Sequence, residues 1–267
     1  METSMAPTFD CLLLTQPQDD VWLITIDRPK ALNALNKALL TSLSQAFQWL
    51  DALPTTKVIL LTGNGDKAFV AGADVVAMQA MTALEARDFS HLGMALMHQI
   101  EACSAPVIAL VNGYCLGGGC ELALSCDYIL ASENAVFSQP EVSLGITPGF
   151  GGTQRLARYI GKGNAMQWIL TGDRISAQDA LKLTLCHQVL SPSELLKGGL
   201  AQAEKIAKNA PQAVRFAKQL IHQGLNLSLH DGCQLETERF ALSFTTQDQT
   251  EGMAAFAERR PARFSHQ

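Results

Sequence analysis

The chain has 267 residues, of which 48% are hydrophobic and 17% are charged, so it can bury a large core and is not a disordered protein. Lysine and arginine number 20 against 25 acidic residues, and the net charge of −5 argues against a surface built for nucleic acid or for an anionic membrane. The seven cysteines are scattered through apolar sequence without a CxxC pair, which predicts reduced, packed thiols and a cytoplasmic location.

The N-terminal ten residues contain neither a basic segment nor an apolar one, so no secretory signal is predicted. No uninterrupted apolar run approaches the roughly 18 residues that a membrane-spanning helix needs. We therefore expect a protein with no membrane and no nucleic acid among its partners.

The predicted elements begin with a β-hairpin and a helix. Two short apolar or β-branched runs, residues 12–15 and 21–26, flank a polar stretch and predict the hairpin. After a break at residues 27–30, apolar residues recur at helical spacing from Asn36 to Pro54. This spacing predicts a helix with one face packed on a sheet.

A buried strand is predicted at residues 57–62, and a glycine-containing segment follows at residues 63–68. That segment formally matches the dinucleotide-binding fingerprint, but the residues after it look extended instead of opening a helix, so a turn is predicted. Thr82 and Glu85 then form a capping box, which predicts a helix that ends near Cys103.

Further apolar runs at residues 106–111, 128–131 and 136–138 predict three more strands. Continuous apolar strands that alternate with helices are typical of a parallel sheet covered by helices, so the fold class is α/β.

After residue 152 the pattern is mostly helical, with one short strand predicted near residues 188–190. We predict an α/β core with the active site over residues 1–195 and a C-terminal helical region over residues 196–267. Appended helices with apolar faces often pack against a neighbouring subunit.

The most informative segment is the glycine-rich junction at residues 117–119, where a strand gives way to a helix that carries Glu121 in its first turn. The free amides of a first helical turn can hold a negative oxygen. Glu141 follows a proline at the start of a second glycine-rich turn. The two acids beside backbone donors predict proton transfer next to a developing oxyanion, although each acid alone could be a simple partner of a helix dipole.

Other catalytic patterns are absent from the sequence. Cys115, Cys120 and Cys126 lie near the glycine-rich junction, but their spacing fits no zinc pattern and no histidine is near, so no metal is predicted. The sequence has no GxSxG elbow, no HExxH motif and no Walker A motif.

Several ordered segments together resemble the enoyl-CoA hydratase (crotonase) family. They are residues 69–74, 112–121, 139–145, 148–156 and 170–174. The resemblance extends from Arg28 to Phe256 and implies a crotonase-like spiral of ββα units, which form two roughly perpendicular sheets. It also implies a C-terminal helical trimerisation region, and trimers of this family commonly pair into hexamers. The pattern of the single sequence would have suggested an ordinary open sheet.

The resemblance further implies hydration of a trans-2-enoyl-CoA to a 3-hydroxyacyl-CoA in fatty-acid or related acyl-CoA degradation. No cofactor is expected, because coenzyme A is part of the substrate. Glu121 and Glu141 match the two catalytic glutamates, and Ala73 and Gly118 match the residues whose amides form the oxyanion hole. The presence of both acids favours a hydratase, because relatives that shift a double bond generally keep only the position of Glu141.

The resemblance also implies contacts with coenzyme A. These residues are Lys30, Ala31 and Leu32 near the adenine, Ala71, Asp74 and Val75 along the groove, and Phe256 with Arg259 toward a neighbouring subunit's coenzyme A. Val76 departs from the family pattern, in which a lysine is frequent, and this departure removes one expected phosphate contact.

Two alternatives stay open at this point. The first keeps the family and changes the reaction, to a Δ3,Δ2-enoyl-CoA isomerase or another acyl-CoA reaction, because a fold does not fix its chemistry. The second is a non-catalytic RNA-binding role, known for some relatives of this fold, against which the net charge of −5 speaks.

Overall fold

The computed structural model describes residues 7–265. Residues 1–6, which belong to the N-terminal stretch in which no secretory signal is predicted, lie outside the described part. Within this part, the strands are β1 (Leu12–Gln18), β2 (Val21–Ile26), β3 (Val58–Gly63), β4 (Ala68–Val70), β5 (Val107–Val111), β6 (Tyr114–Leu116), β7 (Tyr128–Ser132), β8 (Val136–Ser138), β9 (Arg174–Ser176) and β10 (Gln188–Leu190).

The α-helices of the same part are α1 (Lys37–Asp51), α2 (Val75–Met78), α3 (Ala83–Ala102), α4 (Gly118–Ser125), α5 (Gly152–Ile160), α6 (Lys162–Thr171), α7 (Ala177–Lys182), α8 (Leu195–Ala207), α9 (Pro211–Gly224), α10 (Leu229–Ser243) and α11 (Gln247–Glu258). Two 3-10 helices, Pro29–Ala31 and Glu141–Leu144, stand in the loops.

The strands form two sheets. The larger has the order β1-β2-β3-β5-β7-β10 and the smaller has the order β4-β6-β8-β9. The larger sheet is parallel apart from the β1–β2 hairpin, and β4, β6 and β8 are parallel to one another. Each successive ββα unit contributes its first strand to the larger sheet and its second strand to the smaller sheet, as in β3-β4-α3 and β5-β6-α4. The two sheets expected from the resemblance are therefore present, in place of one open sheet.

Local signals account for most of the predicted elements. The Asn36 side chain caps α1 by accepting the Leu39 amide at 2.9 Å, and Thr82 and Glu85 form the capping box of α3. Residues 63–68 form a turn that leads into β4, as predicted, and not the start of a helix. Strands β6 and β9 were not predicted; they have three residues each and stand beside glycines and polar residues.

The main core lies between the two sheets and α1, α3 and α4. Its fully buried side chains include Phe47, Phe69 and Phe137. A second cluster on the other face of the larger sheet joins Val58 and Ile108 to Leu195 of α8. The predicted boundary at residue 195 stays a prediction, and α8 packs directly on the sheet that precedes it. No helix within residues 7–265 is long and apolar enough to cross a membrane.

A buried ion pair joins α9 to the core. Lys218 Nζ lies 2.9 Å from Asp127 Oδ2 and donates to the backbone carbonyls of Ile100 and Ala105. The same carboxylate accepts the Val107 amide at the start of β5. Because the Lys218 side chain is only 5% exposed, this contact is shielded from water and holds α9 on the core.

We expect Lys218→Met to lower the free energy of unfolding by about 3–5 kcal/mol, because it removes the buried ammonium group from a largely buried carboxylate and from two carbonyls and leaves Asp127 only His222 and the Val107 amide. Chemical denaturation at fixed protein concentration measures this change. The matched control is Lys208→Met, which removes an exposed lysine from its pair with Glu204 and should unfold like the parent. A loss below about 1 kcal/mol at position 218 would contradict the anchoring role.

Candidate active site

The site forms at the carboxyl edge of the smaller sheet. Strands β4, β6 and β8 are neighbours and parallel, so the segments that follow them leave the sheet on the same side. Ala73 follows β4, Gly118 follows β6 and Glu141 follows β8. This topology brings together three residues that stand far apart in the sequence.

Glycines allow α4 to begin in contact with this edge. Gly117 has φ 49° and ψ −121°, a conformation that other residues avoid, and its amide donates to the Ser138 carbonyl at 2.8 Å. A Cβ on Gly119 would lie 2.0 Å from the Val70 carbonyl oxygen. Larger residues at these positions would push α4 away from the sheet.

Two backbone amides at this edge have no acceptor among residues 7–265. The amide of Gly118 is in the first turn of α4, where a helix offers no partner. Ala73 forms a β-bridge with Leu35. The Leu35 amide donates to the Gly72 carbonyl and the Asp74 amide donates to the Leu35 carbonyl, so the amide of Ala73 itself is free. Both amides are therefore available to an oxygen atom of a ligand.

Leu35 and Phe150 pack against the Cα of Gly118 and make this part of the site apolar. A Cβ on Gly118 would lie 3.3 Å from Leu35 Cδ1 and from two ring atoms of Phe150. Hydrogen bonds to a developing charge are stronger in such a setting than in water.

Glu121 lies in the first turn of α4 and is 1% exposed. Its Oε1 atom accepts the amide of Phe150 at 2.8 Å and the amide of Gly152 at 2.7 Å. A Cβ on Gly152 would lie 3.0 Å from this oxygen, which is tighter than an ordinary contact, so glycine favours the close approach of the turn. The carboxylate is held by one oxygen.

Glu141 begins the 3-10 helix after β8 and is 8% exposed. A Cβ on Gly117 would lie 2.7 Å from Glu141 Oε1, so this carboxyl group rests against the start of α4. With its amide nitrogen turned toward Glu141, buried Gln139 donates to both carboxylate oxygens at 3.1 Å. Glu141 and Glu121 lie close enough for the charge of Glu121 to act on Glu141.

Electrostatics separate the two acids. Burial raises the pKa of Glu121, and the amides of Gly152 and Phe150 and the charge of Arg155 oppose this rise. Burial raises the pKa of Glu141 to about 7, and the nearby charge of Glu121 adds to the increase. The pKa of each acid is therefore raised, and only Glu121 accepts two backbone amides, which favour its ionised form.

The segments expected to contact coenzyme A lie side by side. The Ala71 amide donates to the Leu32 carbonyl at 3.0 Å, so residues 30–32 adjoin residues 71–75. Lys30 and Leu32 line a cavity of about 290 Å³ together with Asn33.

Other members of the coenzyme A set face solvent. Ala31 and Val75 are exposed, and Val76, at the position where a lysine was expected, is 83% exposed. Phe256 and Arg259, near the end of α11, also have exposed side chains, so their contact with a neighbouring subunit's ligand stays a prediction.

Several residues of the site were not predicted. Gln139 lies in the segment 139–145, and its position next to Pro140 and Glu141 was the available signal. Arg155 lies in the segment 148–156, which contributes to the resemblance, whereas Glu101, its partner at the turn around Phe150, lies outside all of these segments.

All seven cysteines are free, and five of them are buried, in agreement with the predicted packing role. Residues 7–265 contain no cluster of three or more His, Cys, Asp or Glu side chains that could hold a metal ion.

Comparison with known proteins places this geometry among acyl-CoA enzymes. A profile of the enoyl-CoA hydratase/isomerase family matches residues 16–267. A crotonyl-CoA hydratase from Syntrophomonas wolfei is 45% identical over 252 residues, which cover 94% of this chain and 97% of that protein. The mitochondrial enoyl-CoA hydratase of Pongo abelii is 44% identical over 247 residues, which cover 92% of this chain and 84% of that protein.

A solved structure gives the same result. An enoyl-CoA hydratase from Bacillus anthracis superposes with a TM-score of 0.94 at 38% identity, covering 96% of this chain and all of that one (100%). The likeness therefore includes the C-terminal helices as well as the two sheets.

Proposed function

The chain belongs to the enoyl-CoA hydratase/isomerase family, and we infer from this membership that it is an enoyl-CoA hydratase, which adds water to a 2-enoyl-CoA thioester. The predicted crotonase-like fold class is confirmed. The observation that carries the mechanism is the convergence of Glu121 and Glu141 beside two backbone amides that are free to bind an oxygen. The product is a 3-hydroxyacyl-CoA, and we propose that it is formed in fatty-acid or related acyl-CoA degradation.

The two free amides would form the oxyanion hole. Addition of water to the double bond moves negative charge onto the thioester carbonyl oxygen. The amides of Ala73 and Gly118 bind this oxygen and stabilise the charge, because they are already oriented and need no rearrangement. Loss of one such donor typically costs about 3 kcal/mol of transition-state stabilisation.

The two glutamates would move the protons. Glu121, ionised, takes a proton from water as the water oxygen forms its bond to Cβ. Glu141, protonated, gives its proton to Cα as the π electrons of the double bond move toward the carbonyl. Glu121 ends protonated and Glu141 ends ionised, and proton exchange with solvent restores the starting state.

The groove between residues 30–32 and 71–75 would hold the coenzyme A part of the substrate. Lys30 supplies a positive charge for its phosphates. The substrate thus carries its own coenzyme A, and the proposed steps require no additional cofactor.

We also propose a homotrimer, alone or paired into a hexamer. The C-terminal helices leave several large apolar side chains in contact with solvent, as expected for a surface that another copy covers. These side chains are Ile221, Leu229, Phe240, Met253 and Phe256. A cytoplasmic location fits the free cysteines, whereas one similar protein is mitochondrial.

The test of the proposed function is a spectrophotometric screen with crotonyl-, hexenoyl- and decenoyl-CoA. Hydration removes the absorbance of the conjugated thioester, so we expect it to decay for at least one of the three chain lengths. No decay with any of these substrates, or growth of this absorbance from a 3-enoyl-CoA alone, would contradict a hydratase.

A further inference from the structure

Helix α3 lies behind the turn that holds Glu121. The Ser90 hydroxyl donates to the Gly149 carbonyl at 2.5 Å. A Cβ on Gly93 would lie 2.3 Å from the ring of Phe150, so this ring packs directly on the helix backbone. These contacts fix Phe150 in the turn and Gly149 next to it from outside the site.

A third contact from α3 passes through Arg155. Glu101, in the last turn of α3, binds the guanidinium with both oxygens, at 2.5 Å to Nε and 2.8 Å to Nη2. The remaining nitrogen, Nη1, donates to the Phe150 carbonyl at 2.9 Å. The Arg155 side chain is only 10% exposed, so this charge-assisted arrangement is rigid and shielded.

The Phe150 carbonyl, which accepts the hydrogen bond from Arg155, lies along the chain between the two amides that bind Glu121. Those amides belong to Phe150 and Gly152, and the intervening Gly151 has φ 101°. A Cβ on Gly151 would lie 2.2 Å from Arg155 Nη1, so the guanidinium lies directly against the turn. Movement of this carbonyl would move both amides.

We propose that Arg155, held by Glu101, is a positioning residue that fixes the turn at residues 150–152 and thereby orients the Glu121 carboxylate. The inference deepens the proposed function and rests on the role of Glu121 as the base. It assigns Arg155 no contact with the substrate.

The charge of Arg155 has a second effect on the same carboxylate. The charged groups that act on Glu121 are Arg155 from α5 and Glu141 from the 3-10 helix, and Glu101 of α3 lies on the far side of Arg155. Arg155 lowers the pKa of Glu121 against the rise caused by burial. Its removal should therefore move the acid limb of the pH profile to higher pH.

We expect Arg155→Met to lower kcat by about 100-fold with KM nearly unchanged, because a displacement of about 1 Å at a catalytic group has an effect of this size. The acid limb should also shift upward. Arg155→Lys keeps the charge and loses the two-pronged contact, so its acid limb should match the parent while kcat falls by about tenfold. Lys208→Met, at an exposed ion pair, should match the parent in every measurement.

The decisive measurement is a double-mutant cycle. In a Glu121→Gln background, Arg155→Met should lower the residual rate by less than about threefold, because Arg155 acts through Glu121. An equal loss with and without Glu121 would overturn the proposal and would assign Arg155 a general structural role. Should Arg155→Met fail to fold, Arg155→Lys and Glu101→Gln enter the same cycle with the same expectation.

A measurement without turnover separates this inference from the proposed function. In protein labelled with ¹³C at the glutamate carboxyl groups, the Glu121 signal is assigned by its loss in Glu121→Gln. Its titration midpoint should rise in Arg155→Met and stay at the parent value in Arg155→Lys. An unchanged midpoint in Arg155→Met would overturn the electrostatic part, whereas a parent that hydrates no enoyl-CoA would overturn the proposed function alone.

Discussion

Glu141→Gln should lower the rate of hydration by about 10²–10⁴-fold, because glutamine keeps the shape of the side chain and has no acidic proton to give to Cα. Glutamine can still accept the hydrogen bond from Gln139, so the loop should keep its position. The measurement is the steady-state decay of the conjugated thioester absorbance, with kcat and KM determined separately.

The pH dependence provides an independent part of this prediction. Burial and the charge of Glu121 raise the pKa of Glu141 to about 7, and the acid must be protonated to act. In the parent, kcat/KM should therefore fall as the pH rises through about 7, because this ratio reports on the free enzyme. In Glu141→Gln this alkaline limb should disappear from the residual rate.

The matched control is Glu133→Gln, which changes an exposed acid on the loop after β7. It should leave both the rate and the pH profile unchanged. A Glu141→Gln rate within about tenfold of the parent, or an alkaline limb that persists in this variant, would remove Glu141 from the role of acid.

Local chemistry explains why much of this fold could be predicted from the sequence. The caps at Asn36 and Thr82 and the apolar spacing that follows them are properties of neighbouring residues, and the helices begin where they indicate. The assignment of alternate strands to two sheets is different, because it depends on tertiary pairing. The pairing of β6 with β4 and β8 exists only once the chain has folded, and three residues carry no period that reveals it.

The same division applies to the site. The role of the glycines around Glu121 could be predicted, because a close approach of backbone atoms favours glycine. A Cβ on Gly152 would lie in tight contact with that carboxylate. The Glu101–Arg155 ion pair could not be predicted from the sequence, because an ordinary charged residue at the end of a helix has the same local pattern. Its importance arises from its contact with the Phe150 carbonyl, which no local pattern contains.

Glu121→Gln should separate hydration from the shift of a double bond. Glutamine retains the oxygen that accepts the Phe150 and Gly152 amides, so the site should keep its geometry. The variant has no base to take the proton of the attacking water, and hydration should fall by about 10²–10⁴-fold. A shift of the double bond of a 3-enoyl-CoA needs one acid/base group and the oxyanion hole, both of which remain.

We therefore expect Glu121→Gln to convert a 3-enoyl-CoA to its conjugated isomer at a rate within about threefold of the parent's own rate for that reaction, since Glu141 and the two amides remain in place. The rise of the conjugated thioester absorbance measures this step, and in the variant the absorbance should persist because the product is no longer hydrated. Equal losses in both reactions would show that Glu121 serves the geometry of the whole site. Unimpaired hydration would assign the base to another group and would make Glu121 a simple partner of the α4 dipole.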